Sequence, residues 1–466
     1  MTAEKGHIFH PTILREYDIR GIVDQTLTLK DAEMLGRCYG SQVIRNGGAK
    51  IVVGYDGRLS SPALAAALIT GLRATGLMVI DIGRGPTPMV YFAVFELDCD
   101  GGVMVTGSHN PPEYNGFKLM LGKDSFYGDQ IQGLGQAGAA ADYETGEGRY
   151  VSENMTSRYL DRLLKDVDFA ALAARDLKVG WDPGNGAGGE VIGDLIKQLP
   201  GRHFLINGAI DGRFPAHHPD PTIPENLSQL AELIRDRTLD VGFAFDGDAD
   251  RIGMMNKDGA IVWGDQMLAI LAQDILQRHP GATIIGDVKT SQSTFDVVEE
   301  GGGKAIMWKS GHSLIKDKMR QTGALLAGEM SGHIYFGDPF YGYDDGIYAA
   351  LRLLNVIAGR RWGLTGLLEN LPRMVSTPEI RLVCPENRKF EIVRDIKRRL
   401  AATDCMINDV DGVRVTSARG WWLLRPSNTE GALVARCEGR TESDLDRLLD
   451  QLNEQLALAG AGPVLG

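Results

Sequence analysis

Cysteine is scarce in this chain: five in 466 residues (Cys38, Cys99, Cys384, Cys405 and Cys437), all far apart. There is no Cys-x-x-Cys pair and no nearby histidine at zinc spacing, and the odd count leaves one thiol over. A disulfide framework and a structural zinc site are therefore both disfavoured, and reduced, buried thiols are expected. Long apolar runs are also missing. None reaches roughly 18 residues, which argues against a spanning helix and a membrane partner, and the opening ten residues are mixed and polar rather than secretory in pattern. A cytoplasmic protein is the expectation. Positive charge is in deficit, with 49 Lys and Arg against 61 Asp and Glu, a net charge of −12. Nucleic-acid binders concentrate cations to displace counterions, so nucleic acid is not an expected partner. Low-complexity linkers and fixed-period repeats are absent, and the Gly- and Ala-rich stretch 133–141 reads as a loop.

What is present is ample apolar material, 43% of residues, and a length that suits about three domains at ~150 residues each. Short β-branched runs such as Lys50 to Asp56, Gly101 to Val105, Leu177 to Asp182, Val241 to Phe245 and Thr283 to Asp287 alternate with helical patterns. That alternation implies βαβ units and largely parallel sheets, an α/β fold. Ser60-Ser61-Pro62 has the form of a serine cap ahead of a helix with proline in its first turn. Asp344-Asp345-Gly346 reads as a second helix start, its carboxylates explained by capping and the helix dipole.

Four loops carry chemistry. Thr106-Gly107-Ser108-His109-Asn110-Pro111 follows the strand ending at Val105, placing a hydroxyl at a strand's carboxyl end, where open α/β sheets collect ligands. Asp246-Gly247-Asp248-Ala249-Asp250-Arg251 spaces three carboxylates two apart, a hard oxygen site suited to Mg²⁺. Calcium sensing of the EF-hand type is excluded, because Arg251 and Lys257 stand where that loop needs glycine and glutamate. In Gly328-Glu329-Met330-Ser331-Gly332-His333 a carboxylate, a hydroxyl and an imidazole alternate, suitable for sugar hydroxyls. Arg425-Pro426-Ser427-Asn428-Thr429-Glu430 combines a fork-shaped cation with hydrogen-bonding groups fit to grip a phosphate. The tryptophans before it, Trp421 and Trp422, read as core strand residues. An acidic protein can bind a small phosphate if its few cations line one site, and Arg20, Lys118, Arg251, Lys289 and Arg425 are the candidates.

In this order and spacing, together with Leu14-Arg15-Glu16-Tyr17-Asp18-Ile19-Arg20-Gly21, the loops resemble the α-D-phosphohexomutases, in their bacterial phosphomannomutase/phosphoglucomutase branch. Met330 and the Gly-Ser-His of the serine loop fit that branch better than the glucosamine one. The resemblance covers nearly the whole chain. It implies three similar mixed α/β domains and a smaller C-terminal α+β domain around a central cleft, with breaks near residues 156, 260 and 372.

It also implies that Ser108 is carried as phosphoserine and that Mg²⁺ is held by Ser108, Asp246, Asp248 and Asp250. Arg20, Lys118 and His312 would join Ser108 in catalysis. Tyr17, Lys289, Glu329, Ser331, His333, Arg425, Ser427, Asn428 and Thr429 would bind substrate, with His109 and Arg251 beside the serine and metal loops. Phosphoserine 108 would give its phosphoryl group to a hexose phosphate, mannose or glucose. The resulting hexose 1,6-bisphosphate, which is also the activator, would turn over and return its other phosphate. Small sugar phosphates are the expected partners, of a monomer. Phosphoglucosamine mutase and a magnesium-dependent sugar-phosphate phosphatase are the alternatives.

Overall fold

The computed structural model describes residues 6–403, 405–427 and 431–464, which divide into two compact units, 6–267 with 331–367 and 268–330 with 368–464. In the first unit a seven-stranded sheet runs in the order Ile19–Ile22, Tyr114–Leu121, Gly101–Val105, Lys50–Tyr55, Met78–Arg84, Tyr150–Ser152, with Asp124–Phe126 on the flank of the second strand. The middle is parallel, Val52 opposite Gly102 and Ile51 opposite Val79, whereas Tyr114–Leu121 is antiparallel to both its neighbours. Gly101–Val105 is buried at every position, as a strand between two neighbours with both faces covered must be. The second sheet of this unit runs Ile261–Val262, Ile252–Asn256, Val241–Phe245, Lys178–Asp182, Arg202–Leu205. Its centre strand Val241–Phe245 is again wholly buried. Both fully buried strands end in a loop that the sequence singles out for chemistry.

The stretch expected to be a loop at 133–141 is a helix, Asp129–Ala140. Its glycines weaken helix propensity, but Ile131, Leu134 and Ala137 form a buried face, and that packing prevails. The glycines serve the same packing: a Cβ on Gly138 would come within 2.9 Å of the Phe9 ring, and the Gly138 carbonyl accepts the His7 amide at 2.8 Å. The helix Ser61–Arg73 starts where expected, with Pro62 in its first turn. Ser60 does not cap it with its side chain; that hydroxyl instead accepts from Asn115 Nδ2 at 2.8 Å.

In the second unit Lys304–Trp308, Thr283–Asp287 and Leu326–Gly328 are parallel. A six-stranded antiparallel sheet follows, ordered Val375–Ser376, Ala432–Gly439, Gly420–Pro426, Val413–Ser417, Met406–Asn408, with Ile380–Val383 beside the long second strand. Helices Glu386–Leu400 and Glu442–Leu458 cover it through a core that includes Ile396, Leu400, Trp422, Leu424, Leu448 and Leu452. Trp421 and Trp422 are buried strand residues, as expected. Of the cysteines, Cys38, Cys99, Cys384 and Cys437 are free and buried, whereas Cys405 is exposed, just ahead of the edge strand Met406–Asn408. Among the described residues no helix is long and apolar enough to cross a membrane.

Candidate active site

Ser108 and the aspartate loop lie side by side in the first unit, although they leave strands of different sheets. Thr106 to Pro111 leave the strand Gly101–Val105, and Asp246 to Arg251 leave Val241–Phe245. The two backbones touch: a Cβ on Gly247 would stand 2.4 Å from the Ser108 carbonyl oxygen, so only glycine permits this approach. Ser108 itself has φ +48°, a left-handed conformation that a non-glycine residue keeps only when its surroundings over-determine it. Its amide donates to Thr106 Oγ1 at 2.8 Å and its hydroxyl to Asp246 Oδ2 at 2.9 Å. His109 Nδ1 lies 3.2 Å from the same hydroxyl. Burial, with Arg251 and Arg20 nearby, pushes the His109 imidazole well below its ordinary range, so it is neutral.

Asp246, Asp248 and Asp250 are fully buried, and each offers an oxygen within 4.8 Å of the others. Lys118 Nζ donates to Asp248 Oδ2 at 2.7 Å and also to Asp250 Oδ2; Thr87 adds a hydroxyl to Asp248 at 2.5 Å. Burial would raise the Asp248 carboxyl, but Lys118 outweighs it and holds the group below the carboxylate range. Burial would likewise lower Lys118, and the surrounding carboxylates reverse the direction. Asp246 is different. Burial, then Asp248 and Asp250, push it well above the carboxylate range. One ammonium does not neutralise three buried carboxylates, and the leftover charge is relieved either by a proton on Asp246 or by a cation. Asp248 Oδ1 and Asp250 Oδ1 are buried without a hydrogen-bond partner. Hard oxygen donors, surplus negative charge and open lone pairs fit a divalent ion such as Mg²⁺.

Arg20, Arg251 and His333, also expected from sequence, meet the same two loops. Arg20, from the strand Ile19–Ile22, donates through Nη1 to the Gly107 carbonyl at 2.5 Å and to Asn110 Oδ1, and pairs with Asp18 through Nη2. Tyr17 lies half-buried in the bend ahead of it. The Arg251 amide donates to Asp246 Oδ1 at 3.1 Å and its Nε to His333 Nε2 at 3.0 Å. His333 Nδ1 is 3.0 Å from Asp344 Oδ2. The helix-start reading of Asp344-Asp345 thus holds for one residue only. Asp345 caps, accepting the Tyr348 amide at 2.9 Å, while Asp344 orients the imidazole.

In the second unit Lys289 Nζ donates to Glu379 Oε2 at 3.0 Å, with Asp287 at 4.0 Å. Glu329 Oε1 accepts the Gly311 amide at 2.7 Å, and His312 is the half-buried first residue of the helix His312–Thr322. Arg425 Nε pairs with Asp411 at 3.0 Å. Ser427 is buried, its amide donating to the Ala432 carbonyl. Asn428 and Thr429 lie outside the described residues. The loop from Gly328 to His333 is shared: Glu329 and Met330 fall in the second unit, and the half-buried Ser331 and the buried His333 in the first.

All four descriptions of one family match along the chain: phosphoglucomutase/phosphomannomutase α/β/α domain I over residues 11–134, domain II over 157–259, domain III over 263–374 and the C-terminal domain over 379–455. The chain belongs to the phosphoglucomutase/phosphomannomutase family. Within the family it is 43% identical over 445 residues to a phosphomannomutase/phosphoglucomutase of Pseudomonas putida, covering 96% of this chain and 95% of that one. It is 41% identical over 446 residues to a phosphoglucomutase of Neisseria gonorrhoeae, covering 94% and 95%. A solved phosphoglucomutase/phosphomannomutase family structure from Burkholderia thailandensis superposes with a TM-score of 0.91 at 41% identity, covering 98% and 99%. Membership of this family carries with it the fold of three α/β domains and a C-terminal domain.

Several site residues were not singled out from sequence. Asp287 accepts from Thr290 and Ser310 hydroxyls at 2.8 and 2.6 Å and from the Met330 amide at 3.3 Å, joining three loops of the second unit. Asp411, Glu379, Asp344, Thr87 and Arg58 are others. For Asp287 a usable signal is present: like Asp246, it closes an apolar strand.

Proposed function

We propose that this protein interconverts hexose 1-phosphates and hexose 6-phosphates, of mannose, glucose or both, by phosphoryl transfer through Ser108 and a hexose 1,6-bisphosphate. The observation that carries this reading is a buried serine hydroxyl in a strained turn, 2.9 Å from one of three clustered carboxylates that carry excess negative charge. Serine is a poor nucleophile unaided; the His109 ring 3.2 Å from its hydroxyl is neutral, and the carboxylate that accepts the hydroxyl, Asp246, belongs to the cluster that fits a divalent ion. A hydroxyl that already bears the group to be transferred suits the surroundings better.

Asp246, Asp248 and Asp250, with an oxygen of the serine phosphate, would hold Mg²⁺. When bound, that ion supplies charge withdrawal from the phosphoryl group. The chain's own residues then divide the work. Ser108 Oγ carries the phosphoryl group and gives it to the free sugar hydroxyl; Arg20 and Lys118 supply positive charge toward it. Of the two candidates for the hydroxyl proton, Lys118 is held as an ammonium by Asp248 and Asp250 and has no lone pair to accept it, so the proton passes to His312. Tyr17, Lys289, Glu329, Ser331 and His333 recognise the sugar phosphate. Arg425, Ser427, Asn428 and Thr429 grip the phosphate that is not reacting, and they hold either end of the sugar as the bisphosphate turns over and acts as activator. His109 and Arg251 orient the serine and metal loops.

The test is a product balance with glucose 1-phosphate and mannose 1-phosphate, with a trace of the 1,6-bisphosphate, before and after chelation of divalent ions. The reading predicts hexose 6-phosphate with little inorganic phosphate, and loss of both on chelation. Inorganic phosphate released as fast as the 6-phosphate forms would favour a phosphatase, and indifference to chelators would remove the metal.

A further inference from the structure

Arg58 is an arginine with no exposure at all: its side chain is 0% accessible. It leaves the carboxyl end of the strand Lys50–Tyr55, the neighbour of the strand that ends in the serine loop. A buried guanidinium persists only when its donors are used, and here every one of its nitrogens donates. Nε goes to Asp56 Oδ2 at 3.2 Å, Nη1 to the carbonyls of Pro111 and Tyr114 at 2.5 and 3.0 Å, and Nη2 to the carbonyls of Ser108 and Asn110 at 2.7 and 2.6 Å. Three carbonyls of the serine loop, including that of Ser108, and the carbonyl of Tyr114 where the next strand begins converge on one side chain.

Asp56 completes the grip from the other side. Its Oδ2 accepts the Thr106 hydroxyl at 2.8 Å and the Gly107 amide at 3.1 Å, and its Oδ1 accepts the Arg58 amide at 3.0 Å. Gly107 is required by the arginine itself, since a Cβ there would stand 2.3 Å from Arg58 Cζ. The consequence falls on Ser108. Its amide is fixed by Thr106 and its carbonyl by Arg58, so both backbone dihedrals are set and the residue is kept at φ +48°. Only rotation about the Cα–Cβ bond remains to aim Oγ, and in this frame Oγ points at Asp246.

We propose that Arg58 is a positioning residue for phosphoryl transfer, holding the serine loop in the one backbone conformation that presents Ser108 Oγ, and the phosphate it carries, to the carboxylate loop. This rests on the reading of Ser108 as the phosphoryl donor. Arg58 touches neither substrate nor reacting atoms; it acts through the loop. A misplacement on the order of 1 Å lowers turnover about a hundred-fold, so that is the loss expected when the fork is removed.

Arg58→Lys keeps a charge but cannot fork to four carbonyls, and Asp56→Asn loosens the same grip if the first variant does not fold. Each is phosphorylated with glucose 1,6-bisphosphate and measured beside the parent protein for kcat, KM and the ³¹P resonance of the phosphoserine. The expected result is kcat down about a hundred-fold, KM within a few-fold of the parent, and a shifted or broadened phosphoserine signal in protein whose circular dichroism is unchanged. Parent-like kcat and an unmoved ³¹P resonance in the folded variants would overturn the proposal, since a purely structural residue lowers stability and moves neither. Failure of the parent itself to show a phosphoserine resonance or to pass that phosphate to the sugar would overturn the reading beneath it instead.

Discussion

Replacing Lys118 by methionine removes the ammonium and keeps most of the stem. Its nitrogen lies 2.7 Å from Asp248 and also donates to Asp250, with side chains 5% and 0% exposed. Removing one partner from a buried ion pair costs about 3–5 kcal/mol, because the remaining charge is left uncompensated. At roughly 2–4 °C per kcal/mol the melting temperature of the unit carrying it should fall by about 6–20 °C in metal-free buffer at neutral pH. The pH dependence has a definite sign. In the parent, Lys118 holds the Asp248 carboxyl down, so its contribution to stability is present above the unfolded value of about 3.9 and is lost only in acid. In the variant only hydrogen bonds such as that from the Thr87 hydroxyl oppose burial, and the folded value rises above the unfolded one. Such a group stabilises most below about pH 4 and progressively less as the pH rises. The gap between parent and variant should therefore widen from pH 4 to 8, and magnesium chloride should narrow it more for the variant than it raises the parent. Differential scanning calorimetry across that range, with and without the ion, is the assay. Equal melting temperatures at every pH without metal would refute the picture of three buried carboxylates only partly offset by one ammonium.

Arg425→Ala should raise KM for both hexose phosphates roughly 10- to 100-fold, the loss of a charge-assisted hydrogen bond, with a smaller change in kcat; initial-rate kinetics check it. Gly247→Ala places a Cβ 2.4 Å from the Ser108 carbonyl and should cost about 1–3 kcal/mol of stability as well as turnover, read by thermal melting and by rate. Lys289 holds the Glu379 carboxyl down to about 2 from 4.5. Its contribution is present above the unfolded value and is lost as pH falls through about 2, so Glu379→Gln should be less stable than the parent at neutral pH and the difference should shrink below about pH 4.5. Denaturant melts across pH would show it.

Much of this was legible because the chemistry is contiguous. Ser108, the aspartate triplet, Glu329 to His333 and Arg425 to Ser427 each sit in a short loop after an apolar strand, and strand runs such as Gly101 to Val105 announce themselves by composition. The residues that hold those loops in place are legible only in three dimensions. Arg58 acts on a carbonyl 50 positions away and Asp411 on an amide 101 positions away, and nothing in their local sequence names a partner. Asp344 shows the difficulty in miniature. Next to a true helix cap it reads as another capping group, and only the return of the chain reveals His333 against it. The helix Asp129–Ala140 was hidden for the opposite reason, its glycines signalling a loop while its buried face and the close approach of residues 7–9 decide otherwise.

The most direct test of the central claim is transfer of a labelled phosphate. Protein phosphorylated with ³²P, mapped by mass spectrometry to a single site, is mixed with unlabelled glucose 1-phosphate for one turnover. The account predicts one phosphate on Ser108 and its appearance in hexose 1,6-bisphosphate and then in hexose 6-phosphate. Label that stays on the protein, or leaves only as inorganic phosphate while the sugar isomerises, would contradict it.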